Sequence, residues 1–186
     1  MVAPAKRPAS YEDIVALPEH VIGEIVGGEL HVSPRPASKH AVAGSALGEE
    51  LGPPFKRGRG GPGGWVILDE PELHLGRDVL VPDLAGWRRE RMPEIPDVAY
   101  FVLAPDWVAE VLSPSTVVID RGRKLAAYAR SHVSHVWFVD PVAQTLEVLR
   151  LDGETYRVVM VASADDVVRA EPFDAIELGL AVLWAR

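Results

Sequence analysis

Apolar residues fall along this chain in short bursts whose period changes from place to place. "YEDIVALP" follows Ser10, with Asp13 three positions on, a helix-start signal, and Pro18 closes it, so a short helix is expected. "GEIVGGELHVSP" alternates around Gly27-Gly28, the pattern of a β-hairpin with a tight turn. "KHAVAGSALGEEL" changes to helical spacing, with Val42, Ala46 and Leu47 on one side and Gly52-Pro53-Pro54 as its end. A basic, glycine-rich loop, "FKRGRGGPGG", precedes the strand "WVILDE". "ELHLGRDVLVPDLAGW" then predicts two short strands around Gly76-Arg77.

The proline-rich "RRERMPEIPDVAYFVLAP" has no regular period. "DWVAEVL" reads as a strand, Ser113-Pro114-Ser115 as a turn and "DRGRKLAAYARS" as a helix. "HVWFVDP", "TLEVLRL" and "TYRVVMVA" are further strands, the last two turning at Asp152-Gly153. The tail "PFDAIELGLAVLW" is mixed, with room for a final strand. A helix between "WVAEVL" and "HVWFVD" makes a βαβ unit, so those two strands are expected to be parallel neighbours. No internal repeat interrupts the scheme, which predicts an α/β domain on a mixed sheet.

Composition narrows the function classes. With 186 residues, 48% hydrophobic and 25% charged, the chain can bury a core and suits one domain, residues 10–186, behind a loose arm over residues 1–9. No apolar run reaches membrane-spanning length, and "MVAPAKRPAS" lacks the apolar stretch of a signal peptide; the cytoplasm is the expected location. The absence of cysteine excludes a disulfide framework, a thiol nucleophile and thiolate-bound zinc. The net charge of −8 counts against a broad nonspecific nucleic-acid surface. It leaves room for a local basic cleft beside an acidic metal site, because a metal ion brings its own charge.

Three ionisable residues sit where apolar ones would be cheaper. Asp83 interrupts "VLVPDLAGW", Glu110 interrupts "WVAEVL", and Lys124 lies on the helix that follows. A carboxylate in an apolar strand costs free energy unless it is paired or binds a cation. Two on adjacent strands would form a hard-oxygen site suited to Mg²⁺ or Mn²⁺, and a lysine beside them could stabilise an anion or orient a water. Such parts suit metal-assisted hydrolysis of a phosphodiester. Spacing alone leaves a plainer alternative open, in which Lys124 simply pairs with Glu110.

The set "PD" at Pro82-Asp83, "EVLSPST" from Glu110 to Thr116, and Asp120, Lys124 and Tyr128 resembles the large bacterial family of restriction-endonuclease-like proteins of unknown function within the PD-(D/E)XK nuclease superfamily. "GEIVGGELHVSPRPASKHAVAG" is similar to the family's N-terminal segment, with Glu24 and His40 at its marked positions, and "HVWFVDP" matches its later Trp and Asp-Pro segment. The resemblance covers most of the chain. It implies a restriction-endonuclease-like mixed β-sheet flanked by helices, with additional hairpins. It also implies a catalytic set of Asp83, Glu110 and Lys124, with Asp83 and Glu110 holding Mg²⁺ or Mn²⁺. The superfamily's usual lysine place, two residues after the second acid, is Leu112 here, and the resemblance implies that the lysine has moved to Lys124. Ser131-His132 stands where the family usually has glycine, a local departure.

Other residues carry weaker expectations. Glu24 is a further cleft acid or an exposed hairpin residue. His40 is a phosphate or proton-transfer contact, or a polar group at a helix start. Asp120 is expected to cap the Lys124 helix, and Tyr128 to support the acids or to pack. Lys56, Arg57 and Arg59 contact phosphates or are solvated; Arg88, Arg89 and Arg91 pose the same choice. Ser113 and Ser115 lack a G-x-S-x-G elbow and read as turn formers. His20, His31, His74, His132 and His135 have no metal-ligand spacing, and the five tryptophans read as core or interface residues before base-stacking platforms. The function expected is a metal-dependent endonuclease acting on nucleic acid, DNA above RNA, with a homodimer for duplex cutting. The competing classes are a nuclease-fold binding or interaction module without cleavage, and a hydrolase with another substrate on the same metal site.

Overall fold

The alternating segments do become strands in the computed structural model, which describes residues 7–34 and 36–184. Residues 1–6 of the expected arm lie outside the described residues; within it, the Ala9 N–H donates to the Gly28 carbonyl at 2.8 Å and Arg7 pairs with Asp13. The chain runs α1 (Tyr11–Val15), β1 (Val21–Val26), β2 (Glu29–Pro34), α2 (Ser38–Leu51), β3 (Trp65–Asp69), β4 (Leu73–Leu75), β5 (Asp78–Leu80), β6 (Leu84–Arg88) and β7 (Trp107–Val111). A helical stretch over residues 117–130, α3, leads to β8 (His135–Asp140), β9 (Thr145–Asp152), β10 (Thr155–Ser163), β11 (Val167–Val168) and β12 (Leu178–Gly179).

Six strands form the central mixed sheet in the order β10-β9-β8-β7-β6-β3. β7 and β8 are parallel, as a βαβ unit requires, and the other neighbours are antiparallel. A second sheet, β2-β1-β5-β4, is antiparallel throughout. Both faces of the central sheet are covered. Ala43, Leu47 and Leu51 of α2 pack on one face with Trp107, Trp137 and the C-terminal Phe173 and Leu183. Ala127 and Tyr128 of α3, with Leu73 and Leu80 from the smaller sheet, pack on the other with Val108, Val136 and Phe138. Strands covered twice need apolar residues at successive positions, which is why "WVAEVL" hardly alternates.

Phe173 is the hub of the first core. Its ring lies 4.7–4.9 Å from the rings of Phe55, Trp65 and Trp107 and 5.6 Å from Trp137. Phe173→Ala should cost about 3–5 kcal/mol, since rigid indoles cannot collapse into the space left behind. Urea melts of parent and variant check it; a loss under 1 kcal/mol would mean that the tail is loosely held.

Several expectations need correction. Val42 is exposed; Leu47 is buried and Ala46 packs on the core as expected, with Ala43 and Leu51 completing the buried stripe. Gly52-Pro53-Pro54 does not end the helix. The chain continues through a π-wound turn, Gly52–Lys56, closed by the Arg57 N–H on the Gly52 carbonyl at 3.1 Å. The prolines lack donors, and the wider turn bonds past them. Asp152 pairs with Thr155, so the β9–β10 turn is Gly153-Glu154. "ELHLGRDVLVPDLAGW" holds a third strand, β6, and the tail gives only β12 before a 3₁₀ turn. Among the described residues, no helix is long and apolar enough to cross a membrane.

Candidate active site

The register of β6 on β7 sets Leu84 opposite Ala109. One step further, Asp83 comes beside Glu110 at the C-terminal end of β7. The Asp83 Oδ2 accepts the Val111 N–H at 2.7 Å, so the backbone of one strand orients the acid of the other. The two acids line one cleft of about 250 Å³ together with Glu24, His40, Asp120 and Lys124. The geometry thus brings together every strong candidate from the sequence, and places Asp83 and Glu110 on a common cleft.

Lys124 is the centre of this arrangement. It is buried, and its Nζ lies 2.8 Å from Glu110 Oε1, 2.9 Å from Glu24 Oε1 and 3.4 Å from Asp120 Oδ1. An ammonium has three N–H donors, and three carboxylates face it. Burial disfavours its charge, but Glu110, Glu24, Tyr128 and Asp120 together outweigh burial and hold its pKa well above the ordinary lysine value. The lysine lies at the end of a widened turn of α3. Val117–Ile119 starts the helix, Asp120–Lys124 is wound as a π turn, and Leu125–Arg130 returns to α. Such π turns are frequent at functional sites.

The carboxylates feel the opposite pressure. Burial pushes Asp83 up to about 6, against the pull of His40 and the Val111 N–H. Burial likewise drives Glu110 well above the usual carboxylate range, with Lys124 opposing it. Glu24 is anchored from outside the central sheet: the Val81 N–H donates to its Oε1 at 2.7 Å. His40, on the first turn of α2, brings Nε2 to 3.3 Å from Asp83 Oδ1.

Tyr128, buried behind the cleft, donates its hydroxyl to Glu110 Oε1 at 2.5 Å. Tyr128→Phe should lower stability by about 1.5–3 kcal/mol, the worth of a hydrogen bond to a charged group, and weaken activity modestly. Thermal melts and turnover of the Phe variant check this; parental values of both would make Tyr128 a packing residue.

Some expectations about the site change. Asp120 is no helix cap: the helix begins at Val117 behind Thr116, and Asp120 lies inside it, turned to Lys124. Glu24 is buried at the cleft, not exposed on its hairpin. Leu112, in the superfamily's usual lysine place, packs in the second core. Ser113 hydrogen-bonds Ser115 and Thr116 within the turn, as turn formers do. Arg91 pairs with Asp106, Arg88 lies over Trp65, and Arg89 reaches the Pro93 carbonyl. Lys56 and Arg57 line a separate groove that also reaches His40 and Asp83.

Two residues escaped the sequence reading. Asp78 is buried, accepts the Gly27 N–H at 2.7 Å and pairs with Arg130 of α3 at 2.8 Å, tying the Glu24 hairpin to the Lys124 helix. Beside Gly76-Arg77 it looks like an ordinary turn residue. Glu70 lies on both cavities with φ of +44°, a left-handed conformation rare outside glycine, and nothing in the one-dimensional pattern marks it.

A divalent cation can be tested against this donor set. Among the described residues, no three His, Asp or Glu groups are arranged to enclose a metal ion. Two carboxylates whose ionisation burial makes costly remain, Glu110 buried and Asp83 half-buried, open to one cleft. That fits Mg²⁺, which takes one or two carboxylates and completes its shell with water and substrate phosphate oxygens.

Comparison with known proteins agrees with the architecture. The family model Uma2, described as "Putative restriction endonuclease", matches residues 10–182. The chain is similar to the crystal structure of a putative nuclease of DUF820 from Anabaena variabilis, with a TM-score of 0.77 and 23% identity over 95% of this chain and 98% of that one. That likeness is one of fold. None of the curated proteins gives a significant match.

Proposed function

We propose that this chain, which belongs to the Uma2 family of putative restriction endonucleases, is a nuclease that hydrolyses phosphodiester bonds with a divalent cation, Mg²⁺ or Mn²⁺. The observation that carries the reading is a buried ammonium, Lys124, held 2.8 Å from Glu110 in the cleft that Glu110 shares with Asp83. DNA is the proposed substrate, following the family's description as restriction endonucleases.

Asp83 and Glu110 would hold the cation, which would supply a polarised phosphoryl oxygen and an acidified water. The residues of the chain do the rest. The Val111 N–H and His40 fix the Asp83 carboxylate; Tyr128 and Lys124 fix that of Glu110. Lys124 has two tasks. At rest it holds Glu110 and Glu24 in place, at 2.8 and 2.9 Å. With substrate bound, a phosphoryl oxygen competes for one of its donors, most easily the one shared with Asp120, its most distant partner at 3.4 Å. That exchange would set an ammonium against the charge that develops in the transition state.

The test is a cleavage screen of single- and double-stranded DNA and RNA with Mg²⁺ or Mn²⁺, beside calorimetric metal titration. Metal-dependent cleavage lost in Asp83→Asn and Glu110→Gln is expected. A second reading, a binding module without cleavage, is favoured by the three carboxylates that already face the ammonium. Metal and DNA binding with no cleavage of any nucleic acid would decide for it. Duplex cutting would add a homodimer, which light scattering with and without DNA reports.

A further inference from the structure

The turn that opens α3 carries a row of hydroxyls leading from solvent to a buried acid of the cleft. Ser115 is exposed, Ser113 and Thr116 are half-buried, and Asp120 is buried. The Ser115 and Ser113 hydroxyl oxygens are 2.9 Å apart, and those of Ser113 and Thr116 are 3.0 Å apart. The Thr116 hydroxyl hydrogen-bonds the Asp120 carboxylate one helical turn further on. Asp120 Oδ1 then lies 3.4 Å from Lys124 Nζ.

The hydrogens of this row have one arrangement. An ionised carboxylate only accepts, so Thr116 gives its one hydroxyl hydrogen to Asp120. Thr116 must therefore accept from Ser113. Ser113, whose Oγ also accepts the Thr116 N–H at 3.3 Å, must accept from Ser115. All three O–H bonds point inward. A plain turn does not require this. Thr116 precedes the first residue of α3, where a threonine hydroxyl normally accepts a free N–H of the first turn. No such cap bond is made here, and the hydroxyl faces Asp120 instead. Aligned hydroxyls can each give one proton forward and take one from behind, so the row is a path for a proton.

Asp120 has reason to take one. Three carboxylates share one ammonium, and Asp120 is held most loosely, at 3.4 Å against 2.8 Å for Glu110 and 2.9 Å for Glu24. The charges around it add no second counter-ion. Asp83 is met by His40, and His31 stands opposite Glu24 in the strand register. Arg121 and Arg123, on the same turn of α3, pair with Glu147 and Glu29. Burial raises the Asp120 carboxyl above the ordinary aspartate value, against Lys124 and the Thr116 hydroxyl. A phosphoryl oxygen that draws Lys124 away leaves this buried carboxylate without its cation, and such a group takes up a proton.

We propose that Asp120 is the general acid of the reaction, and that Ser115, Ser113 and Thr116 reload it with protons from solvent. The proposal rests on the nuclease reading. When a phosphate engages Lys124, a solvent proton enters at Ser115, each hydroxyl hands its own proton forward, and Asp120 becomes neutral. As the bond from phosphorus to the leaving oxygen breaks, the Asp120 O–H passes its proton to that oxygen and the carboxylate is restored. The attacking water forms the new phosphorus–oxygen bond and loses one proton to solvent, which balances the proton taken up. Asp120 lines the cleft where the leaving oxygen would meet it; the three hydroxyls are positioning residues that act through it.

The experiment has two arms, both on the full chain. In the first, single-stranded and duplex 12-mer DNA are titrated calorimetrically with Ca²⁺ in place of Mg²⁺, in Tris and in PIPES at pH 7, with gels to show the DNA uncut. The two buffers differ in heat of ionisation, so the difference reports proton uptake. The parent should take up about one proton per site and Asp120→Asn none. In the second arm, cleavage with Mg²⁺ is followed from pH 6 to 9. The parental rate should fall at high pH, where the acid is no longer protonated. Asp120→Asn should be slower by about 10²–10⁴-fold and should lack that fall. Thr116→Val, with a parental melt, should be at least tenfold slower in dilute buffer and regain rate with added imidazole, a diffusible proton donor. Thr116→Ser should keep the parental rate. Binding without proton uptake, uptake unchanged in Asp120→Asn, or a Thr116→Val enzyme that is either as fast as the parent or slow at every imidazole concentration would each overturn the proposal in a protein that cleaves. Binding with proton uptake but no cleavage would defeat the nuclease reading and the acid's role with it, as would the absence of both binding and cleavage.

Discussion

The Lys124→Ala protein is expected to cleave at no more than about a hundredth of the parental rate, since removal of one transition-state donor typically costs 10²–10³-fold. It is also expected to melt lower. Lys124 is the cation facing Glu24, Glu110 and Asp120, all buried. Removing one partner of a buried ion pair costs about 3–5 kcal/mol, because the remaining charge stays desolvated. In a chain of this size that is roughly 6–20 °C of melting temperature. Loss of fold and loss of chemistry must therefore be separated. Lys124→Met combined with Glu110→Gln, Glu24→Gln and Asp120→Asn removes the stranded charges; it should regain most of the stability and none of the turnover. Lys124→Arg should rescue poorly, because a planar fork cannot meet acids arranged around a compact ammonium. The measurements are melting curves and cleavage rates for the three variants. A folded Lys124→Ala protein cutting at the parental rate would defeat the proposed role.

Asp83→Asn should move metal affinity and stability in opposite directions. Divalent cation binding should fall at least tenfold by calorimetry, because a neutral amide replaces one of two anionic ligands. The metal-free protein should nevertheless become more stable at neutral pH. Burial lifts the Asp83 pKa from 3.8 to about 6, so the folded state holds its proton more tightly than the unfolded chain. The stability linked to that proton is complete below about pH 4 and is lost as pH rises through about 6. At pH 8 the ionised carboxylate costs up to about 3 kcal/mol, which an amide would not, while its oxygen can still accept the Val111 N–H. Melting scans of metal-free parent and Asp83→Asn between pH 4 and 8 should diverge upward in pH. Coincident curves throughout would mean that Asp83 is hydrated and its ionisation free.

What the sequence disclosed follows from the range of the interactions concerned. The β7–α3–β8 unit was legible because its strands, turn and helix are neighbours in the chain, and handedness leaves one way to close them. Asp83, Glu110 and Lys124 stood out because charge in an apolar context is visible locally, and the family resemblance gave them roles. Asp120 misled because a cap and a residue four positions before a lysine look alike until the true helix start, at Val117, is known. Glu24 could not be decided from its hairpin, since its burial depends on β5 and on α3, more than 50 residues away. Asp78 was illegible for the same reason: its partners, Gly27 and Arg130, are each about 50 residues distant.

The span between Glu24 and Lys124 has a consequence for how the molecule is made. On a ribosome adding about 5–20 residues per second, the glutamate emerges about 5–20 s before its ammonium. During that interval the hairpin can pair with itself, but docking it would bury an acid with no counter-charge. The smaller sheet is thus expected to stay undocked until α3 has been synthesised and folded, and the cleft to exist only in a nearly finished chain. Ribosome-bound chains ending before and after residue 130 should differ in protease protection of the hairpin; early protection in the shorter chains would show that it docks without its lysine.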